Sequence, residues 1–270
     1  MRSAVVCIAK DEENYLDEWV RYHTKLGFSE IFVYQNNWRY PMGPYEDPRI
    51  HLLEFDEAKI SDGCQNRCYN SFIQEYSSDF DFAAFIDVDE FLSIDPSRNL
   101  DEVLSSYSKE DCVYVNWRIF GDGGHKWVEN GDYSCIRRFT MCDDRLHRLG
   151  KNILNLRKNG RRYSFFNPHI SLLDGKIFKY SDANLETRIE RIWDRFPEKD
   201  QVVELYHFKN KTFPELFNRK YRKGDAFYSK GNPVYQEISS LRKDFEELNS
   251  NKIVNTRLLE FMYGDKENGK

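Results

Sequence analysis

The chain has 270 residues, 40% of them hydrophobic and 16% aromatic, which is enough apolar material to bury a full core and speaks against intrinsic disorder. Its longest apolar stretches, such as Ser3 to Ala9 and Phe80 to Val88, fall far short of the roughly 20 residues that cross a bilayer, so no membrane-spanning helix is expected. A net charge of −5, with no helix-turn-helix, zinc-finger or RNP-type pattern, disfavours a nucleic-acid partner.

Val5 to Ala9 reads as a buried strand running into the polar Lys10-Asp11-Glu12-Glu13-Asn14. An apolar run beginning so early and turning acidic so soon is not a signal peptide, and cytoplasmic residence is the expectation. The helix that follows carries Tyr15, Leu16, Trp19, Val20, Tyr22, His23 and Leu26 on one face and stops at Gly27. Glu30 to Tyr34 is a second strand, and its turn Gln35-Asn36-Asn37 lies where a doubly wound sheet presents ligand contacts. A third strand, Ile50 to Phe55, precedes a helix over Cys64 to Tyr76. Phe82 to Ile86 is the most hydrophobic strand and suits the middle of a parallel sheet. Asn99 to Tyr107 predicts a short helix and Val113 to Arg118 a strand closing at Phe120-Gly121-Asp122-Gly123-Gly124. Short strands and loops are expected over Trp127 to Ile177, then helices over Glu186 to Phe196, Phe213 to Tyr221 and Tyr235 to Phe261, the last broken near Asn249-Ser250-Asn251.

The six cysteines lack C-x-x-C and zinc-finger spacing, and free thiols in the core are the expected state. Two basic groups stand out, Arg145 to Arg162 and, after His207, Lys209, Lys211, Arg219, Lys220, Arg222 and Lys223. They read either as solvated faces or as contacts for an anionic ligand such as a diphosphate, an acidic glycan or a lipid head group.

Asp87, Asp89 and Glu90 follow directly on the most apolar strand. Alternation points Asp87 and Asp89 the same way, toward one hard cation, Mg²⁺ or Mn²⁺, bound with a diphosphate. The alternative for so short a motif is an ordinary acidic turn, against which weigh the buried strand, the binding of ligands at strand ends in α/β folds, and the basic clusters elsewhere in the chain.

Ile8-Ala9-Lys10-Asp11-Glu12-Glu13-Asn14-Tyr15-Leu16-Asp17-Glu18-Trp19-Val20-Arg21-Tyr22-His23 resembles the opening block of glycosyltransferase family 92 and its family 2-like bacterial relatives. Phe85 to Leu92, Asn116 to Gly121, Asn167-Pro168-His169 and Tyr206 to Lys211 resemble later blocks in the same order. Asp11, Asp122-Gly123 and Lys223 depart from the pattern. The resemblance implies a GT-A fold: an α/β, Rossmann-like mixed central sheet flanked by helices, with a catalytic domain over residues 1–225 and a C-terminal helical extension over 226–270 packed on it. It implies a UDP-linked hexose donor, galactose being the first guess, and transfer to a saccharide or lipid-linked saccharide in surface polysaccharide or lipopolysaccharide synthesis. Mapped residue by residue, Ala9, Lys10, Glu12, Asn36, Asp87 and Val88 would hold the donor nucleotide, with Lys209 and Lys220 on its phosphates. Asp87, Asp89 and His207 would hold Mn²⁺ or Mg²⁺, although His207 also reads as a core or capping histidine.

An inverting transfer needs a base beside the acceptor hydroxyl, and Asp122 and His169 are the candidates. Trp117 and Phe120 could stack on sugar or belong to the core. The segment Arg145 to Arg162 could rest on the inner face of an anionic membrane. A nucleotidyl- or phosphotransferase would need a phosphate-cradling glycine loop near the N-terminus, which is missing. The non-enzymatic rival is a glycan- or nucleotide-binding protein on a degenerate transferase fold.

Overall fold

The structure is a computed structural model and describes residues 1–36, 45–55, 63–189, 197, 200–219 and 238–264. In chain order its elements are β1 (Ser3–Ala9), α1 (Glu13–Leu26), β2 (Glu30–Gln35), β3 (Ile50–Glu54), α2 (Cys64–Tyr76), β4 (Phe82–Phe85), β5 (Glu90–Ile94), α3 (Leu100–Ser106) and β6 (Cys112–Ile119). There follow α4 (Cys135–Arg138), β7 (Met141–Cys142), β8 (Gly150–Asn155), α5 (Leu156–Asn159), β9 (Tyr163–Asn167), β10 (Ile170–Leu173), β11 (Tyr180–Asp182), β12 (Arg188–Ile189), β13 (Val203–His207), α6 (Phe213–Phe217), α7 (Ile238–Leu248), β14 (Ile253–Val254) and α8 (Arg257–Tyr263).

The main sheet runs β12-β11-β6-β8-β4-β1-β2-β3, with β13 bridging β6 to β5. β4, β1, β2 and β3 are mutually parallel, whereas β8 runs antiparallel between β4 and β6. This is the expected Rossmann-like mixed sheet flanked by helices. Its parallel half explains the continuous apolar runs: alternate residues face opposite sides, and both sides are covered. Val5, Cys7, Ile31 and Val33 pack toward Leu16, Trp19 and Val20 of α1. Val6 and Phe32 pack on the other side against Tyr69, Phe72 and Ile73 of α2. Gly27 ends α1 in the left-handed region at φ 111°, and its N–H donates to the His23 carbonyl. Asn99 caps α3 by a reciprocal capping box with Glu102.

α1 is pinned to β5 as well as to the sheet. Trp19 Nε1 donates to the Glu90 carbonyl at 2.8 Å and Tyr22 Oη to that of Leu92 at 2.8 Å, so the aromatic face of α1 fixes the strand that leaves the acidic segment. The six cysteines are buried thiols, with no disulfide among the described residues.

Two elements depart from the sequence expectation. Arg188–Ile189, expected at the start of a helix, pairs antiparallel with β11 because the sheet edge offers unsatisfied backbone groups; residues 190–196 of that expected helix lie outside the described residues. The C-terminal stretch is broken after Leu248 as expected, but its linker contains β14, which pairs with β7. α7 packs through Leu241 and Phe245 on Leu216, while Leu258 of α8 enters the main core. The expected boundary at residues 225 and 226 lies outside the described residues. No described helix is long and apolar enough to cross a membrane.

Candidate functional site

The parallel strands β1, β2 and β4 end on one edge of the sheet, where the chain must leave the ladder and expose polar backbone. The Asn36 N–H donates to the Ala9 carbonyl at 2.8 Å and Ile86 N–H to Val6 at 3.1 Å, so Asp87 emerges beside the end of β1. β8 brings Lys151 in from the other side, because Asn152 pairs with Phe85 and the antiparallel register carries Lys151 past the end of β4. β13 closes the site: His207 pairs with Glu90 of β5 and Ile119 of β6, and Phe208 N–H donates to the Asp89 carbonyl at 2.9 Å.

Each carboxylate of the acidic segment meets a different environment. Asp87, one-third exposed, accepts from Lys151 Nζ at 2.9 Å on one oxygen and from Gln65 Nε2 at 2.6 Å on the other. Burial pushes this carboxyl up, but the adjacent ammonium outweighs it and holds it below the usual range. Asp89 is 5% exposed; one oxygen is paired with the Arg219 guanidinium and the other lies 3.6 Å from His207 Nε2. Burial again opposes ionisation, and Arg219, then His207, hold Asp89 well below its ordinary value. Glu90 is fully buried and accepts the Asp87 N–H at 2.8 Å, while its second oxygen has no hydrogen-bond partner among the described residues. Burial, with Asp87 and Asp89 adding to it against the opposing Lys151, pushes Glu90 well above the carboxylate range and so favours its protonated form.

Three histidines surround Trp117. Ring centroids lie 4.4 Å away for His207, 5.2 Å for His169 and 5.8 Å for His147. His169 Nδ1 lies 2.8 Å from the Gly150 carbonyl, which only an N–H can satisfy, so the lone pair is on Nε2. Burial, reinforced by Lys151, pushes His169 down to about 4, leaving it neutral near pH 7. The Trp117 indole N–H and His207 Nδ1 are buried without hydrogen-bond partners among the described residues.

A cleft of about 200 Å³ reaches Arg219, the partner of Asp89, and is lined besides by Lys10, Glu12, Tyr15, Lys209 and Lys211. Its wall is held by Glu215, which caps α6 through Thr212 and receives both Arg138 and the Tyr15 hydroxyl.

Of the sequence-predicted residues, Asp87, Asp89, His207 and His169 come together, and Lys10, Glu12 and Lys209 line the adjoining cleft. Others are placed differently. Ala9 and Val88 are core residues whose side chains are packed away, so a donor contact there is limited to backbone. Asn36 donates its amide to the Phe55 carbonyl and Cys64 Sγ, a structural bridge between β3 and α2. Asp122 accepts from Asn251 Nδ2 and Gly124 N–H while its own N–H goes to Asn249, tying its loop to the C-terminal segment. Phe120 packs between Tyr206 and Phe208 in the core. Asn37 and Lys220 lie outside the described residues. Nothing in the sequence pointed to Gln65 or His147, and Lys151 and Arg219 stood out only as members of basic groups, without their carboxylate partners. A buried lysine in a basic run carries no local signal, because its carboxylate partner is distant in sequence.

Two carboxylates and an imidazole are oxygen and nitrogen donors of the kind Mn²⁺ and Mg²⁺ accept, so the donor chemistry fits such a cation. Among the described residues no three His, Cys, Asp or Glu side chains converge as a ready-made shell. Lys151 and Arg219 supply the positive charge in this arrangement.

No protein-family model matches the chain. It is similar to a glycosyltransferase family 92 protein of Oryza sativa subsp. japonica, 26% identical over 121 residues, which make up 39% of this chain and only 19% of that protein. Among solved structures, S. aureus TarS residues 1–349 matches at TM-score 0.36 and 12% identity, over 81% of this chain and 64% of that one. The same TarS fragment in complex with UDP-GlcNAc matches at TM-score 0.37 and 13% identity, over 67% and 58%.

Proposed function

We propose that this chain is a GT-A-type glycosyltransferase that uses a nucleotide-activated sugar, with its site at the C-terminal edge of β1, β2 and β4. The observation that carries the reading is the meeting of Asp87, Asp89, His207 and His169, from three separate segments of the chain, beside a lysine- and arginine-lined cleft. The ordered sequence blocks and the partial similarity to a family 92 protein support it. A UDP-linked hexose, galactose first, is the proposed donor, and a saccharide hydroxyl the acceptor. Asp89, His207 and Asp87 would hold a Mn²⁺ or Mg²⁺, which when bound neutralises charge on the leaving diphosphate.

His169 is the proposed base in preference to Asp122. Its Nε2 carries the lone pair, its ring is held by the Gly150 carbonyl and Trp117, and it is neutral near pH 7. In an inverting step Nε2 removes the proton of the acceptor hydroxyl as that oxygen bonds to the anomeric carbon, and the bond to the diphosphate oxygen breaks on the opposite face. Lys10, Lys209 and Lys211 line the cleft that would receive the phosphates.

Thermal shift with nucleotides and nucleotide sugars, with and without Mn²⁺, tests the reading. Stabilisation by UDP that requires the metal and disappears in Asp89→Asn is the expected result. Nucleotide binding without turnover of any UDP-sugar would instead favour a binding protein.

A further inference from the structure

Arg219 occupies an informative position. Its guanidinium holds one oxygen of Asp89 and donates to the Lys209 carbonyl, yet its side chain is 22% exposed and lines the cleft shared with Lys10, Lys209 and Lys211. The other Asp89 oxygen faces His207 Nε2 at 3.6 Å. Lys151, the second cation of the site, is 1% exposed and sealed against Asp87. One resident cation is therefore fixed and the other reaches the cleft.

A divalent cation entering between Asp89 and His207 meets Arg219 on the same carboxylate. It also adds two positive charges where the Asp87 and Asp89 carboxylates are already matched by Lys151 and Arg219, in surroundings where charge is weakly screened. A diphosphate resolves both conflicts, since it brings negative charge and offers oxygens. A guanidinium fork bonds phosphate as well as carboxylate, which lets one arginine serve both.

We propose that Arg219 and the catalytic cation exchange on Asp89. In the nucleotide-free protein Arg219 holds the carboxylate; when cation and donor arrive together, Arg219 releases Asp89 and turns to the donor diphosphate. Arg219 thereby acts both as placeholder and as diphosphate ligand, and the cation binds poorly without nucleotide. This rests on the metal-assisted donor site proposed above.

The test measures Mn²⁺ affinity from the electron paramagnetic resonance of free Mn²⁺, without and with UDP, for the wild type, Arg219→Gln and Arg219→Lys. It also measures UDP affinity at saturating Mn²⁺, and cooperative thermal melts establish that each variant is folded. Arg219→Gln is expected to bind Mn²⁺ alone on the order of tenfold more tightly than the wild type, while its UDP affinity falls on the order of tenfold. Arg219→Lys, which keeps the charge, should bind Mn²⁺ alone as the wild type does. Opposite changes for the two ligands are not what loss of a purely structural contact produces. If Arg219→Gln weakens both ligands, or leaves Mn²⁺ affinity unchanged while the wild type still binds Mn²⁺ with UDP, the exchange is overturned and the donor site stands. If the wild type binds no Mn²⁺ even with UDP, the metal site falls and the exchange falls with it.

Discussion

Asp87 and Asp89 are two residues apart, yet Asp87 rests on a sealed lysine and Asp89 on an arginine that lines the cleft. Lys151 has no exit to solvent, so its partner decides its cost. Lys151→Met leaves Asp87 without its cation, and urea unfolding should show a loss on the order of 3 kcal/mol. Asp87→Asn in the same chain should recover most of that loss; a double variant as unstable as the single would show that the pair is not the cause. His169 is the base proposed above, and that role has its own test. His169→Gln should lower turnover about 10²–10⁴-fold, the range for loss of a general base, with UDP affinity unchanged in a direct titration. Loss of UDP binding in step with turnover would instead make His169 a donor contact.

At the scale of elements, β8 does most to assemble the site. It supplies Lys151 and the Gly150 carbonyl that fixes His169, and it runs antiparallel between two strands of the parallel frame. Gly150 allows this closeness: a Cβ there would lie 1.9 Å from the Val115 carbonyl oxygen, and backbone cannot yield as a flexible side chain can. Gly150→Ala should therefore cost about 3 kcal/mol or more by forcing β6 and β8 apart. It should also displace His169, so activity in the folded fraction should fall as well. A melting temperature equal to the wild type would refute the close approach. The helices α1, α2 and α3 were legible in advance because their apolar spacing and end signals are local. β12 and β14 were not, because each is a two-residue pairing stabilised only by the strand beside it.

For the whole molecule, the pH dependence of stability has an identifiable source. His23 is fully buried between α1 and β5, with Nδ1 at 2.9 Å from the Trp19 carbonyl and Nε2 accepting the Leu92 N–H. Burial pushes its imidazole down from 6.5 to about 3, so between those values the unfolded chain binds a proton that the folded chain refuses. The stability associated with neutral His23 is complete above pH 6.5 and is lost as pH falls, by up to about 1.4 kcal/mol per pH unit. His23→Gln should flatten the urea midpoint between pH 7 and pH 4.5, and an unchanged slope would assign it to other groups. The basic run Arg145 to Arg162 is not one uniform face: Lys151 is internal, and Arg157, Lys158 and Arg162 pair with Asp81, Asp111 and Asp174. If that run contacts anionic membranes, exposed Arg145, Arg148 and Arg161 would carry the contact. Their replacement by Gln should reduce sedimentation with anionic liposomes without changing UDP binding, and unchanged sedimentation would dispose of the contact.

The sequence by itself determined the strand and helix rhythm of the first half and the acidic segment at a strand end. It also marked the histidines that accompany that segment. These follow from hydrophobic period, turn residues and short-range spacing, all written locally. Only the tertiary structure decided what charge each carboxylate faces, because Lys151 and Arg219 reach Asp87 and Asp89 across long stretches of chain. It gave the two base candidates different surroundings in the same way, holding His169 by the Gly150 carbonyl and tying Asp122 to the C-terminal segment. Burial and ion pairing depend on neighbours distant in sequence, and those neighbours turn a short acidic motif into a site with one sealed cation and one that lines the cleft.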